Sequence, residues 1–195
     1  MLDNLKKYNI ILASNSPRRR ELLSGLGINY EVKLIKGVDE SYPPHLKGSE
    51  IPEFISRIKA AAYRPFMAEN DLVITADTTV YANGEVLGKP KDREDAVRML
   101  KILSGHTHQV MTGVSITTRE FQKSFCSVSD VTFDTLTDEE IDFYIDNYKP
   151  YDKAGAYGIQ EWIGFIGVSG IHGSYFNVMG LPVQRLYREL KEMKI

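Results

Sequence analysis

The chain has 195 residues, of which 43% are hydrophobic and 26% are charged. A chain of this length buries enough apolar surface to fold without a covalent staple. Its single cysteine, Cys126, excludes an intrachain disulfide and a multi-cysteine zinc site. The formal net charge of −2 gives no electrostatic reason to expect general binding to nucleic acid or to a membrane surface.

No segment approaches the roughly 18 consecutive apolar residues that a membrane span requires. We therefore expect a cytoplasmic protein that has no membrane partner. Glycine and proline are scattered, and the sequence has neither a repeat nor an obvious interdomain linker. These features predict one folding unit over residues 1–195.

The first half of the chain predicts short buried strands and two helices. An apolar run at residues 9–13 is typical of a buried strand, and a serine cap followed by Pro17 starts a helix over 17–26. Gly27 ends this helix. The next predicted elements are a strand at 30–35, a polar loop at 37–48, a helix capped by Ser49 and a buried strand at 72–76.

The second half carries clearer turn and capping signals. Asn83-Gly84 between apolar residues predicts a hairpin, and Thr137 with Glu140 forms a capping box. The other predicted elements are a helix from Asp92 to 103, adjacent antiparallel strands at 108–117 and 123–135, a glycine-rich loop at 152–158, a hairpin between 162 and 176, and a helix from Leu181. Strands and helices do not alternate strictly, so we expect an α/β protein with a mixed sheet and flanking helices.

Arginines crowd the start of the first predicted helix. Arg18, Arg19 and Arg20 follow Ser14 and Ser16 at a junction between a strand and a helix. Backbone amides at a helix start attract anions, and the guanidinium fork matches phosphate oxygens. Because cations there oppose the helix dipole, the cluster favours a phosphate site over a solvated helix face.

An aspartate follows the apolar strand at 72–76. Asp77 and its neighbour Thr78 stand where α/β proteins usually bind ligands. A carboxylate there can hold a divalent cation or orient water. A turn-capping aspartate is an equally good interpretation of the same residues.

Further charged candidates are Asp39, Glu40 and Lys59. The two acids follow the second predicted strand, and the lysine lies just off the apolar stripe of the next helix. Alone, such residues are most often surface charges. The segment 84–90 is not a P-loop, because its glycines are one residue too close and a proline replaces the hydroxyl residue. Lys89 in this segment remains a candidate to bind a phosphate as a point charge.

The loop at residues 152–160 combines small residues, which permit close backbone approach, with Lys153 and Gln160. These two side chains are able to bind the polar edge of a ring. The histidines lack metal-binding spacing, and the strand pattern around Cys126 favours a core thiol over a nucleophile.

Five blocks, in order along nearly the whole chain, resemble the Maf family of nucleoside triphosphate pyrophosphatases. This family is related in fold to the inosine triphosphate pyrophosphatases. The blocks are LASNSPRRRELL at 12–23, ITADTTVYANGEVLGKP at 74–90, AVRMLKILSGHTHQVMTGVSI at 96–116, DKAGAYGIQ at 152–160 and GSYFNVMGLPV at 173–183.

The resemblance implies two lobes around a deep cleft. It also implies hydrolysis of a nucleoside triphosphate to the monophosphate and pyrophosphate with a divalent cation, usually Mg²⁺, with Mn²⁺ as the second choice. By the same resemblance Asp77 is the proton acceptor, Glu40, Lys59 and Lys89 complete the catalytic site, and Glu40 and Asp77 hold the metal.

The resemblance also implies where the substrate binds. Arg18 and Arg19 match phosphate contacts, and Arg18, Thr78 and Gln160 match positions linked to substrate choice. Ser14 and Lys153 complete the candidate substrate site.

The DKAGAYGIQ block resembles the subgroup that acts on dTTP and UTP rather than on 7-methyl-GTP. After Gln160 the family usually has glycine, whereas this chain has Glu161-Trp162. The match at Glu40 needs a one-residue loop adjustment, which leaves Asp39 as its competitor.

The expected partner is a small nucleotide, and a homodimer is left open. An alternative function of a different class is a regulator of septum formation, a role also linked to this family, that binds a nucleotide without hydrolysing it. The intact set of acids and lysines favours an enzyme, because a pure binding protein needs no base facing the scissile phosphate.

Overall fold

A computed structural model describes residues 2–193. Its strands are β1 (Asn9–Leu12), β2 (Glu31–Val32), β3 (Asp71–Ala82), β4 (Glu85–Leu87), β5 (Thr107–Thr117), β6 (Gln122–Phe133) and β7 (Val168–His172). Its α-helices are α1 (Pro17–Gly25), α2 (Glu50–Tyr63), α3 (Arg93–Leu103), α4 (Asp138–Tyr148), α5 (Trp162–Gly167), α6 (Tyr175–Met179) and α7 (Val183–Glu192). Within these residues no helix is long and apolar enough to cross a membrane.

The strands form a mixed sheet in the order β2-β1-β3-β5-β6-β7, with β4 paired to β3. Strand β1 is parallel to β2 and to β3, with Asn9 opposite Asp71 and Leu12 opposite Ile74. Strands β4 and β7 pair antiparallel with β3 and β6. The mixed α/β sheet predicted from the sequence is therefore confirmed.

The chain divides into two compact units, each built from separate segments. Unit 1 has the described residues up to Asp77, Thr112–Ser127 and the described residues from Gly180 onward. Unit 2 has Thr78–Met111 and Val128–Met179. Strands β3, β5 and β6 each contribute residues to both units.

In unit 1, helix α2 packs directly against β3 and β5. A Cβ added to Gly113 would lie 2.2 Å from the carbonyl carbon of Pro52, so only glycine allows this approach. Thr75 Oγ1 donates to the carbonyl of Ser56 at 2.7 Å, and Ser56 Oγ lies 2.8 Å from Ser115 Oγ. These buried contacts fix the helix whose next turn carries Lys59.

In unit 2, local signals produce the turns and helix starts predicted from the sequence. Asn83 and Gly84 have φ of 49° and 85°, which is the backbone that a tight two-residue hairpin requires. The Thr137 hydroxyl accepts from the Glu140 amide, and the Glu140 carboxylate accepts from the Thr137 amide, which completes the capping box of α4.

Two predictions before α2 are wrong in part. The strand predicted at 30–35 is only the two exposed residues of β2. Ser49 precedes α2 but makes no hydrogen bond as a side-chain cap. The Glu50 carboxylate instead accepts from the backbone amide of Lys47 at 3.0 Å, which closes the turn just before the helix.

The hairpin predicted between residues 162 and 176 is also wrong, because this segment forms α5, β7 and α6. A Cβ on Gly164 would lie 1.8 Å from the carbonyl oxygen of Ile159. The glycine thus allows the chain to turn tightly over the preceding loop as a short helix. Only β7 then remains to pair with β6.

Candidate functional site

Three charged side chains of unit 1 form an acid–lysine cluster: Glu40, Lys59 and Asp77. The Lys59 ammonium donates to Asp77 Oδ1 at 2.8 Å and lies 3.2 Å from Glu40 Oε1. The side chains of Lys59 and Asp77 are 17% and 13% exposed, whereas that of Glu40 is 54% exposed. The cluster is therefore anchored on one side and open to water on the other.

Asp77 lies within β3 and not at a strand end, so the sequence interpretation of its position is wrong. The parallel pairing with β1 ends at Ile74, but β3 continues through Asp77 to Ala82. The polar run Asp77 to Thr79 resembles the end of a strand in the sequence, but all three residues belong to β3. A strand backbone holds the Asp77 carboxylate more rigidly than a loop.

Glu40 rather than Asp39 reaches the lysine. Asp39 Oδ1 accepts from the Ser41 amide at 2.9 Å, and its hydrogen bonds to Ser41, first from the backbone and then from the side chain, lower the pKa of Asp39. The segment leading to Glu40 is anchored upstream, because Tyr63 of α2 donates to the carbonyl of Lys33 at 2.8 Å. Of the two competing acids, Glu40 is therefore the one that contacts Lys59.

The donor set of this cluster fits a hard divalent cation that a substrate helps to bind. The described residues contain no group of three or more His, Cys, Asp or Glu side chains able to hold a metal ion. Within the described part of the chain, no hydrogen bond reaches Asp77 Oδ2 or Glu40 Oε2. Mg²⁺ is usually bound by one or two carboxylates together with water and substrate phosphates, and two carboxylates match that pattern.

The structure confirms the predicted start of α1, and Arg18 and Arg19 have different surroundings there. Ser16 caps α1 by accepting from the Arg19 amide at 3.4 Å, and the buried Ser14 accepts from the Ser16 amide at 3.2 Å. The Arg19 guanidinium donates to the carbonyls of Gly180 and Ala76 at 2.8 and 2.9 Å. Burial lowers the pKa of Arg19, which the charge of Asp77 opposes.

Arg19 therefore ties the start of α1 to the residue before Asp77. Two of its donors already bind the backbone, which gives it a positioning role that the sequence did not suggest. Arg18 is half-buried on the same turn.

The second set of predicted residues lies in unit 2, in the segment from Asp152 to Glu161. Lys153 is buried, and its ammonium lies 2.8 Å from Asp152 Oδ1 and 3.1 Å from Glu161 Oε1. Gly155 has a φ of 70°, and its amide donates to the carbonyl of Gly88 at 3.0 Å. Gln160 is half-buried, and its Oε1 is inaccessible and has no hydrogen-bond partner among the described residues.

The remaining predicted site residues of unit 2 lie near the β3–β4 hairpin. Thr78 is half-buried on β3, and Lys89 is exposed just after β4.

Tyr144 and Glu161 are polar residues of unit 2 that sequence reasoning did not select. The Tyr144 hydroxyl donates to Glu161 Oε2 and accepts from the Gly158 amide at 3.0 Å. Burial, and then Glu161, raise the pKa of Tyr144, so its hydroxyl remains a donor. The two residues are 17 positions apart, which no local motif links. The departure of Glu161 from the family pattern was the only available signal.

His108 and Cys126, which the sequence does not favour as a metal ligand or a nucleophile, are packed in the structure. His108 is buried in an edge-to-face cluster with Phe133 and Tyr157, and burial lowers its pKa to about 4. Cys126 lies on β6, and burial raises the pKa of its thiol to about 12. A neutral imidazole and a protonated thiol agree with packing roles.

Residues 9–193 match a family model described as Maf-like protein. A dTTP/UTP pyrophosphatase from Phocaeicola vulgatus is 66% identical over 193 residues, and one from Bacteroides thetaiotaomicron is 63% identical over 193 residues. Both alignments cover 99% of this chain and 100% of the relative. A solved structure of a HAM1 protein from Coxiella burnetii aligns with a TM-score of 0.47 and 14% identity over 95% of this chain and 100% of that chain. Because the family model and the relatives span nearly the whole sequence, the chain belongs to the Maf family.

Proposed function

We propose that this protein is a pyrophosphatase that hydrolyses dTTP and UTP to the nucleoside monophosphate and pyrophosphate. Full-length relatives of this chain carry the name dTTP/UTP pyrophosphatase. The observation that carries the proposal is the acid–lysine cluster, in which Lys59 bridges Asp77 and Glu40. Two carboxylates that share one lysine at a partly open site are suited to hydrolysis rather than to holding a fixed anion.

The chemistry requires a water molecule to attack a phosphorus atom that is surrounded by negative oxygens. Asp77 is the proton acceptor for this water, and its carboxylate is oriented by the 2.8 Å hydrogen bond from Lys59. General-base assistance of this kind is worth about 10²- to 10⁴-fold in rate. No covalent nucleophile is needed, which agrees with the protonated thiol of Cys126.

Glu40 and Asp77 would hold the divalent cation, Mg²⁺ or, as the second choice, Mn²⁺. When bound, such an ion neutralises charge on the triphosphate oxygens. Lys59 keeps the two carboxylates close together before substrate arrives. Lys89 contributes a further positive charge for a phosphate oxygen.

The other site residues bind and select the nucleotide. Ser14 shapes the turn at which Arg18 and Arg19 contact phosphate, and Arg19 also fixes this turn to the backbone at Ala76. In the second unit Thr78 and Gln160 select the base, and the buried Lys153 supports this part of the substrate site through its contacts with Asp152 and Glu161. A side-chain amide carries both a donor and an acceptor and can pair with the edge of uracil or thymine.

The test is product analysis across normal and modified nucleoside triphosphates, with and without Mg²⁺. We expect dTTP and UTP to yield the monophosphate and pyrophosphate well above ATP, GTP and 7-methyl-GTP, and chelation to abolish the reaction. Nucleotide binding without turnover by the wild-type protein would instead support the regulatory alternative. A preference for a purine triphosphate would overturn the base assignment and leave the pyrophosphatase chemistry standing.

A further inference from the structure

The segment that ends in Gln160 is tied to helix α4 through one buried carboxylate. Glu161 accepts from the Tyr144 hydroxyl through Oε2 and pairs with the Lys153 ammonium at 3.1 Å through Oε1. Tyr144 is fully buried, and its hydroxyl also accepts from the Gly158 amide at 3.0 Å. The loop is therefore held at residues 153, 158 and 161, on both sides of Gln160.

Gly158 brings Gln160 and Glu161 together over the backbone. A Cβ on Gly158 would lie 2.9 Å from Glu161 Cδ and 3.1 Å from Gln160 Nε2. A side chain at this position would displace the Glu161 carboxylate and crowd the Gln160 amide. The Glu161 carboxylate and the Gln160 amide are thus both packed against Gly158.

Gln160 differs from these residues because, in the described part of the chain, its side-chain oxygen lacks a hydrogen-bond donor. Its Oε1 is buried without a hydrogen-bond donor among the described residues. Buried acceptors are normally paired, and the Gln160 side chain as a whole is half-buried rather than enclosed. A ligand that brings an N–H group gains a hydrogen bond here without breaking one.

We propose that Glu161 and Tyr144 are positioning residues that preset Gln160 so that its amide oxygen accepts a hydrogen bond from the ring N3–H of uracil or thymine. This inference rests on the proposed function and deepens it, because it names the base atom that is recognised. Cytosine carries an acceptor at N3 and adenine an acceptor at N1, and each would face Oε1 with a lone pair. Sites that hydrogen-bond their substrate reject analogues that lack the matching group more strongly than apolar pockets do.

The first arm of the test needs no variant. The wild-type protein with Mg²⁺ is given UTP, CTP and 3-methyluridine triphosphate, in which a methyl group replaces the N3 hydrogen. We expect kcat/KM to fall at least ~10²-fold from UTP to each of the other two. Equal turnover of UTP and 3-methyluridine triphosphate would overturn the inference, while pyrophosphate release from UTP would leave the proposed function intact.

The second arm compares Tyr144→Phe with Tyr148→Phe, the same change one turn further along α4. The Tyr148 ring stacks on Tyr144 at 5.1 Å, but within the described residues no hydrogen bond involves its hydroxyl. We expect Tyr144→Phe to lower the UTP to CTP ratio of kcat/KM about tenfold or more, chiefly through KM for UTP. Tyr148→Phe should leave this ratio unchanged.

The third arm is Glu161→Gln against Glu161→Ala. Glutamine retains an acceptor for the Tyr144 hydroxyl, so it should keep more of the UTP to CTP ratio than alanine. A purely structural role predicts equal losses for all bases together with a lower melting temperature. Unchanged ratios in both folded variants would contradict the positioning role, and absence of pyrophosphate release by the wild type would contradict the proposed function itself.

Discussion

Lys59 in unit 1 and Lys153 in unit 2 each contact two carboxylates, but the two clusters differ in how the oxygens of their less exposed carboxylate are used. In each cluster one acid is largely exposed, Glu40 at 54% and Asp152 at 60%, and the other is not, Asp77 at 13% and Glu161 at 20%. Among the described residues no hydrogen bond reaches Asp77 Oδ2. Both oxygens of Glu161 are occupied, one by Lys153 and one by Tyr144. The same residue types thus form an open cluster, in which Asp77 keeps an unoccupied oxygen for catalysis, and a closed cluster, in which the fully paired Glu161 holds a loop.

The types of residue in an acid–lysine cluster therefore do not by themselves show whether the cluster is catalytic or structural. An acid with an unoccupied oxygen and solvent nearby can take a metal or a proton. An acid whose oxygens are both paired in a buried network contributes rigidity instead. The variants below test this distinction, beginning with the largest expected effect.

Replacing Asp77, the proposed proton acceptor of the open cluster, should have the largest effect on turnover. We expect Asp77→Asn to reduce kcat for dTTP about 10²- to 10⁴-fold, because it removes the proton acceptor and keeps the shape. Pyrophosphate release measures the effect, and circular dichroism checks the fold. Near-normal turnover by the folded variant would show that the open cluster is not catalytic.

Acid should weaken the buried aromatic cluster of unit 2 that contains His108. His108 has its pKa lowered from 6.5 to about 4 by burial. Its unfolded form therefore gains a proton first as pH falls, and the stabilisation present above pH 6.5 is lost between 6.5 and 4. The expected loss by pH 4.5 is about 2 to 3 kcal/mol in the free energy of unfolding.

Urea unfolding at pH 7.5 and pH 4.5 measures this loss in the wild type and in His108→Gln. The exposed His106 provides the matched control. We expect His108→Gln to lose less stability than the wild type on acidification, and His106→Gln to follow the wild type. Identical losses in all three proteins would mean that the buried imidazole does not carry the effect.

The two neighbouring acids of the open cluster offer a matched pair. Glu40 contacts Lys59, whereas Asp39 accepts from the Ser41 backbone. We expect Glu40→Gln to lower kcat/KM about 10- to 100-fold, the size of a lost charged contact, and to raise the Mg²⁺ concentration needed for half-maximal rate. Asp39→Asn should change both values by less than about threefold. The reverse order would assign the metal to Asp39.

The smallest expected effect is that of Arg18→Ala. Removal of one phosphate contact should raise KM for dTTP about tenfold, while the melting temperature changes little because a surface arginine adds little stability. Substrate titration and a thermal melt on the same preparation distinguish the two quantities. A melting temperature lower by several degrees with unchanged kinetics would support a solvated helix face.

The sequence predicts those parts of the fold that depend on neighbouring residues. The Ser16 cap, the Asn83-Gly84 turn and the Thr137 capping box each act within four residues, and the structure contains all three. A glycine that is required by packing against a distant residue cannot be recognised from its neighbours in this way. Gly164 falls in the segment that the sequence predicts as a hairpin, but it approaches the Ile159 carbonyl and lies in the short helix α5.

The same limit holds for the candidate site. Asp77 is a site candidate in the sequence and lies beside Lys59 in the structure, but the sequence does not predict its place within a long strand, because its polar neighbours resemble a strand end. Tyr144 and Glu161 meet across 17 residues, and their link exists only once the loop is folded against α4. Long-range pairs of this kind carry no periodic signal in the sequence.

The open cluster of unit 1 is proposed to carry out the chemistry, and the loop at residues 152–160 of unit 2 to select the base. The most direct test measures kcat/KM for dTTP and ATP with the wild type, Asp77→Asn and Gln160→Ala. Asp77→Asn should lower both values by the same large factor and leave their ratio within about threefold, whereas Gln160→Ala should reduce the dTTP to ATP ratio about tenfold or more. If Gln160→Ala lowered both values equally, or Asp77→Asn changed the ratio as much as Gln160→Ala, this division of roles would be contradicted.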